Sequence, residues 1–210
     1  MICLLCSSAK NTLFYSEKGH SFFKCNTCGA ISRGKKSFPN PDEEKARYQE
    51  HNNDVNDIRY QKFVSPITNA VQKDFAPLNT LGLDFGAGTG PVITKVLSEK
   101  GFKLNLYDPF FIPDISVLKV AYDFIVCCEV IEHFHNPNKE FQLLKELLKP
   151  NGKLYCMTDI FSETKNFETW YYKNDPTHVI FYSEKTLQWI QKNLGFKSVS
   201  IENRLVQFTA

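Results

Sequence analysis

Apolar residues in this chain fall into short runs separated by turn residues, and the runs alternate in kind. Leu81 to Phe85, Lys103 to Tyr107 and Asp123 to Cys128 are short and largely apolar. Such runs read as strands buried in a parallel sheet. Val92 to Lys100 lies between the first two and reads as a helix. Tyr60 to Phe75 places Ile67, Ala70 and Val71 on one helical face. Ser183 suits an N-cap and Gly195 a C′ position for a helix containing Leu187, Ile190 and Leu194. Phe196 to Ile201 and Leu205 to Thr209 then read as a hairpin joined at Glu202-Asn203-Arg204. Alternating strands and helices predict an α/β fold.

The first forty residues have a different pattern. Cys3-x-x-Cys6 and Cys25-x-x-Cys28 form two pairs at the spacing of a four-thiolate zinc site. Thr12 to Ser16 and Ser21 to Lys24 read as short strands around Lys18-Gly19-His20, which makes a zinc ribbon. Four thiolates fill a tetrahedron, so the expected ion is structural and His20 stands at the loop tip. So short a segment has little core of its own and needs the metal to fold. Lys10, Lys18, Lys24, Arg33, Lys35 and Lys36 face only Glu17 in charge. With Phe14, Tyr15, Phe22 and Phe23 they could meet RNA, or the aromatics form a miniature core under a solvated basic face. Two prolines in residues 37–41 make a linker, and Asp42-Glu43-Glu44 starts a helix whose dipole favours acids there.

One stretch carries chemistry. Leu83-Asp84-Phe85-Gly86-Ala87-Gly88-Thr89-Gly90-Pro91 turns from the first strand into the first helix. Its glycines allow a tight turn and close approach of a ligand, and Asp108 ends the next strand where an acid can hold ribose hydroxyls. No Lys-Ser or Lys-Thr pair follows, which excludes a P-loop. Pro91 stands where the dinucleotide fingerprint needs glycine. The loop resembles the first motif of the class I S-adenosylmethionine-dependent methyltransferases. Glu129-Val130-Ile131-Glu132-His133 after the third strand, Leu147 to Leu154, and Asp175-Pro176-Thr177-His178 with Tyr182-Ser183 extend the resemblance over about residues 60–210, toward the subgroup of sugar and small-molecule methyltransferases.

The resemblance implies a doubly wound, mostly parallel seven-stranded sheet ending in an antiparallel hairpin. It divides the chain into a ribbon at 1–36, a linker and lid helix at 37–59 and a methyltransferase domain at 60–210. Tyr48, His51, Asn52 and Asn53 would lie over the donor pocket. Gly86, Gly88 and Gly90 would form the donor loop, with Asp84 orienting the methionine end, Asp108 the ribose, and Glu129 beside the donor. The family has no obligatory catalytic residue, because alignment supplies much of the rate. If the acceptor must lose a proton, His178, Glu129 and His133 are the leading candidates, with Asp159 and the pair Tyr171-Tyr172 behind them. Cys127, Cys128 and Cys156 read as packing residues. Cys-Glu-Val-Ile-Glu replaces the Asn/Asp-Pro-Pro-Tyr/Phe motif used on amide-type nitrogens.

Composition narrows this little. The chain has 210 residues, 42% hydrophobic, with a net charge of +2. That suits one main domain with a small appendage and carries no strong nucleic-acid signal. No run is long enough to span a membrane, and without a leader the expected location is cytoplasmic. The expected acceptor is a small molecule or sugar-like metabolite. RNA methylation with the ribbon as docking module is the second reading, and a non-catalytic donor-binding protein the third. The oligomeric state is left open.

Overall fold

The computed structural model describes residues 1–50 and 53–210. The ribbon opens with β1 (Asn11–Glu17) and β2 (His20–Cys25), an antiparallel hairpin. Its turn uses Lys18 and Gly19 at φ 47° and 83°, a geometry that glycine adopts without strain. β3 (Ile31–Arg33) pairs with β2 and then leaves the ribbon. Helix α1 (Pro41–Gln49) starts with a capping box, in which Asn40 and Glu43 bond each other's backbone. Helix α2 (Ile58–Asp74) follows and buries Val64, Ile67, Thr68 and Val71.

The main sheet is built from β4 (Leu81–Phe85), β5 (Lys103–Tyr107), β6 (Tyr122–Cys128), β7 (Leu148–Met157), β9 (Ser198–Glu202) and β10 (Leu205–Thr209). Helices α3 (Val92–Ser98), α4 (Pro137–Glu146) and α5 (Glu184–Asn193) connect them. The order is β5-β4-β6-β7-β10-β9. The first four strands are parallel, and β10 runs antiparallel between β7 and β9. The hairpin is as expected, with Ser183 capping α5 and Gly195 at φ 74° after it.

The sheet has six strands rather than the expected seven. Residues 108–121 run from β5 to β6 and hold only a short turn of helix at Val117–Lys119. That span allows one crossover. A further strand would require a second, and each crossover takes about a dozen residues or more.

The ribbon does not stand apart. β3 pairs with β8 (Ile180–Phe181), so β1-β2-β3-β8 is one sheet made from both ends of the chain. The expected miniature aromatic core is a shared one. Phe22 packs with Phe161, Phe167, Trp170, Tyr172 and Phe181, and Phe14 and Tyr15 lean on the same cluster. Cys3, Cys25 and Cys28 pack into the main core. Among the described residues no helix is long and apolar enough to cross a membrane.

Inside the sheet, a Cβ on Gly82 would overlap the ring of Phe124 on β6. Gly82→Ala should therefore cost about 1–3 kcal/mol through overpacking. Urea unfolding should show a lower midpoint at unchanged slope. A wild-type midpoint would contradict this packing.

Candidate functional site

The glycine loop leaves β4 through two positive-φ positions, Gly86 at 80° and Gly88 at 62°. A side chain on Gly86 would strike Val130, and one on Gly90 would strike the backbone of Asn53. The loop hangs on β5, because the Gly86 and Ala87 amides donate to the Tyr107 carbonyl at 2.8 and 3.1 Å. Asp108 ties it further. Its Oδ2 accepts from the Gly88 amide at 2.9 Å, and its Oδ1 accepts from the Phe110 and Phe111 amides at 2.9 and 3.0 Å. Asp84 lies beneath the loop and accepts from the Thr94 hydroxyl at 2.8 Å. Burial raises its pKa to about 6.

Beside the loop is a cavity of about 850 Å³. This is within the range of small-molecule sites. Gly86 to Thr89, Tyr107 and Asp108 line one side, and His133, Tyr171, Tyr172 and His178 line another. Asp84 and Gly90 are not among its lining residues. Glu44, Arg47 and Tyr48 of α1 line it too, as does Asn53. Tyr48 sets its ring edge-on to His133 at 5.2 Å, and Arg47 pairs with Asp175 at 2.8 Å. His51 and Asn52 lie outside the described residues.

The polar cluster forms where β6 ends. Glu129 takes φ 53°, a strained conformation that turns its side chain out of the strand line. Arg204, in the hairpin turn between β9 and β10, donates to Glu129 Oε1 at 2.6 Å. The Tyr172 hydroxyl donates to Glu129 Oε2 at 3.1 Å and is also bonded to Glu132. Glu132 is fully buried, and its Oε2 has no partner among the described residues. Burial, followed by the Glu129 charge, raises its pKa to about 8. Both effects favour its neutral form.

Two imidazoles face this acid. His178 Nδ1 lies 2.8 Å from the Tyr172 carbonyl, and His133 Nδ1 lies 3.0 Å from the Thr177 carbonyl. A carbonyl only accepts, so each Nδ1 carries the hydrogen and each Nε2 keeps its lone pair. Burial lowers His133 to about 3 and His178 to about 4. Both are neutral at pH 7, with ring centres 4.8 Å apart. Ligand atoms of Glu132, His133 and His178 all lie within 4.8 Å of one another. Two imidazoles and a carboxyl are a donor set that a divalent transition metal accepts.

Of the sequence candidates, Glu129, His133, His178, Tyr171 and Tyr172 come together at this cavity. Asp159 does not line it; it accepts from Trp170 Nε1 at 2.8 Å and pairs with Lys165. Glu132 and Arg204 are not among the sequence candidates, whereas Tyr48 and Asn53, expected over the pocket, line the cavity. The signal for Glu132 was its place in Glu129-Val130-Ile131-Glu132-His133, the segment that follows β6 and turns into the short helix Ile131–His133. Arg204 carried no local signal.

A second group of possible metal ligands is formed by Cys3, Cys6, Cys25 and Cys28. Cys3 and Cys28 sulfurs are 3.5 Å apart, as are those of Cys6 and Cys25. All four lie within 4.8 Å of one another.

Comparison with known proteins agrees with this geometry. Residues 56–201 match the methyltransferase domain family. A ubiquinone biosynthesis O-methyltransferase of Cronobacter sakazakii is 31% identical over 80 residues. That stretch covers 38% of this chain and only 33% of the relative. An O-methyltransferase family protein from Burkholderia thailandensis superposes with a TM-score of 0.53 at 11% identity, covering 79% of this chain and 61% of that one. A SAM-dependent methyltransferase from Archaeoglobus fulgidus gives 0.51 at 20% identity, with 68% and 76% covered. These structural likenesses concern the fold, whereas the family match spans well over half of the sequence. The chain belongs to the methyltransferase domain family.

Proposed function

We propose that this protein transfers a methyl group from S-adenosylmethionine to a hydroxyl oxygen of a small molecule. The observation that carries the reading is one cavity that joins the glycine loop and Asp108 to a neutral, orientated His178. The donor supplies a methyl carbon made electrophilic by its positively charged sulfur. The loop backbone can approach the donor because Gly86 and Gly88 carry no side chain. Asp108 stands at the end of β5, where an acid can meet ribose hydroxyls. Its carboxylate also fixes the loop, so one residue shapes the cradle and faces the ligand. Across the cavity His178 Nε2 takes the proton from the acceptor hydroxyl as the oxygen attacks the methyl carbon. The carbon–sulfur bond breaks, its electron pair stays on sulfur, and a neutral thioether leaves. Glu129 pairs with Arg204 and accepts from the Tyr172 hydroxyl, which keeps Tyr172 in place.

Oxygen is favoured because a hydroxyl needs a base, whereas a neutral amine does not. The O-methyltransferase relative points the same way. A small acceptor is favoured because α1 lines the cavity and the ribbon aromatics are spent in packing. Lys24 is paired with Glu163, Lys173 of the acceptor side with Glu17, and Arg33 is buried. Two of the six basic ribbon residues, Lys24 and Arg33, are thereby withdrawn from any RNA contact, while Lys10, Lys18, Lys35 and Lys36 are exposed.

A second reading of the same cluster has Glu132, His133 and His178 holding a divalent cation. Their Nδ1–H bonds to carbonyls leave Nε2 free, as metal-bound histidine requires. When bound, such an ion would polarise the acceptor oxygen.

The four cysteines hold one structural zinc in this proposal. Tetrahedral zinc with bonds of about 2.3 Å separates its sulfurs by about 3.8 Å, near the spacing observed.

Each part of the proposal has an expected outcome. Asp108→Ala should weaken S-adenosylhomocysteine binding by about 1.5–3 kcal/mol, the size of a hydrogen bond to charge. Calorimetry showing equal affinity would remove Asp108 from the donor site. His178→Ala should keep that affinity and lose roughly 10²–10⁴-fold in kcat. Since burial holds His178 at about 4, the acid limb of the wild-type kcat profile should fall near pH 4 instead of near 6.5. Loss of turnover on chelation, restored by manganese and not in His178→Ala, would decide for the cation reading. Protein purified without added zinc should contain about one equivalent, and Cys25→Ser should lose it. Full zinc occupancy in Cys25→Ser would contradict the site.

A further inference from the structure

Arg33 ends β3 and is only 3% exposed. Burying a guanidinium is costly unless its donors are satisfied. None of its side-chain bonds goes to the ribbon. Nε donates to the His178 carbonyl at 3.0 Å, and Nη2 donates to the Lys173 and Asp175 carbonyls at 2.7 Å each. The Arg33 amide donates to the Val179 carbonyl at 2.9 Å. The Asp175 carboxylate acts on Arg33 through its charge but is bonded elsewhere, to Arg47 and to Thr177. The guanidinium also lies 5.1 Å from the Phe22 ring centre.

Three carbonyls converge on one cation here. Carbonyl oxygens turned toward one another repel, so this loop shape needs a positive centre inside it. The segment so held runs from Lys173 to His178 and carries the proposed base. It begins beside Tyr172, whose carbonyl fixes the His178 tautomer. Arg33 therefore sets both ends of the bond that aims His178 Nε2. From the opposite side Arg47 of α1 holds the Asp175 side chain. The glycine loop makes no bond to Arg33 and is positioned by β5 instead.

We propose that Arg33 is a positioning residue for the acceptor half of the site, and that the ribbon serves to deliver it. The inference rests on the reading of the cavity as a methyl-transfer site. It assigns the ribbon a place within the site itself. β3 begins three residues after Cys28, so the cysteine knuckle fixes where Arg33 falls.

The test uses the full chain and two variants, Arg33→Gln and Arg33→Lys. Lysine keeps the charge but lacks the planar fork that reaches three carbonyls. Three measurements are made: S-adenosylhomocysteine affinity by calorimetry, melting temperature, and the ring nitrogens of His178 by NMR at pH 7. Wild type should show a single Nδ1–H tautomer. Arg33→Gln should bind S-adenosylhomocysteine as wild type does, yet show an averaged pair of tautomers at His178. Its amides from 175 to 179 should exchange about tenfold faster, as a locally opening segment does. Arg33→Lys should melt close to wild type and still show the averaged ring. A single wild-type tautomer in both variants would overturn the proposal. So would joint loss of donor affinity and melting temperature in both, which would mark a purely structural residue. None of these measurements needs an acceptor or turnover. Failure to find methyl transfer would thus leave the Arg33 result standing, and a wild-type His178 ring would leave the methyltransferase reading standing.

Discussion

Four carboxyl groups stand at one edge of the parallel sheet, and the site is the result of satisfying them. In spatial order they are Asp108, Asp84, Glu129 and Asp159, at the ends of β5, β4, β6 and β7. Each is largely desolvated by the apolar strands behind it, and a buried carboxylate must find partners or take up a proton. Asp84 takes one hydroxyl, from Thr94, and its pKa rises. Asp108 takes three backbone amides and thereby folds the glycine loop against β5. Glu129 and Asp159 share Arg204, with Lys165 and Trp170 completing the second. The antiparallel hairpin has a direct part in this, because its turn carries the guanidinium that neutralises the middle of the edge.

Much of this architecture was legible in the chain. Apolar runs marked the strands, the glycine loop marked one wall of the cavity, and paired cysteines marked the four-sulfur cluster. Those signals are local: each is carried by residues close together in sequence. What escaped depends on distant pairing. β8 is two residues long, and nothing around Ile180-Phe181 states that it will complete the ribbon sheet. Arg33 reads as one of six basic residues until its loop partners, far along the chain, come into view. The strand count failed differently. Seven strands came from the resemblance, and the length between β5 and β6 was not weighed against the crossover a further strand requires.

The shared core explains why the ribbon is not free. About forty residues cannot bury enough apolar surface to hold a fold alone. Here the deficit is met by the aromatic cluster around Phe167, which belongs to the segment between β7 and β8. That segment also carries Trp170, Tyr172 and His178. Stability of the N-terminal strands and the shape of the cavity wall that carries Tyr172 and His178 are consequently one packing problem. A change that loosens Phe22 or Phe161 reaches His178 through Tyr172, whose ring lies 4.2 Å from the imidazole.

The protonation pattern of the inner cluster follows from the same burial. Glu132 is raised to about 8 and His178 lowered to about 4, reversing their usual order. The shifts favour a protonated carboxyl beside an imidazole that keeps its lone pair. Environments that separate titratable groups in this way assign acid and base roles. The cost of charging His178 is highest while the cluster around it is neutral. It falls if Glu132 ionises as the imidazole gains its proton, because opposite charges at short range offset each other's desolvation. A proton passed from the Glu132 carboxyl to the His178 imidazole would leave the net charge of the pair unchanged, because one anion and one cation would replace two neutral groups. Glu132 has a free lone pair on its unpartnered Oε2 and a hydroxyl partner in Tyr172. The Tyr172 hydroxyl supports the charged form of the carboxyl, whereas the oxygen without a partner disfavours it, because a buried charge needs its hydrogen bonds.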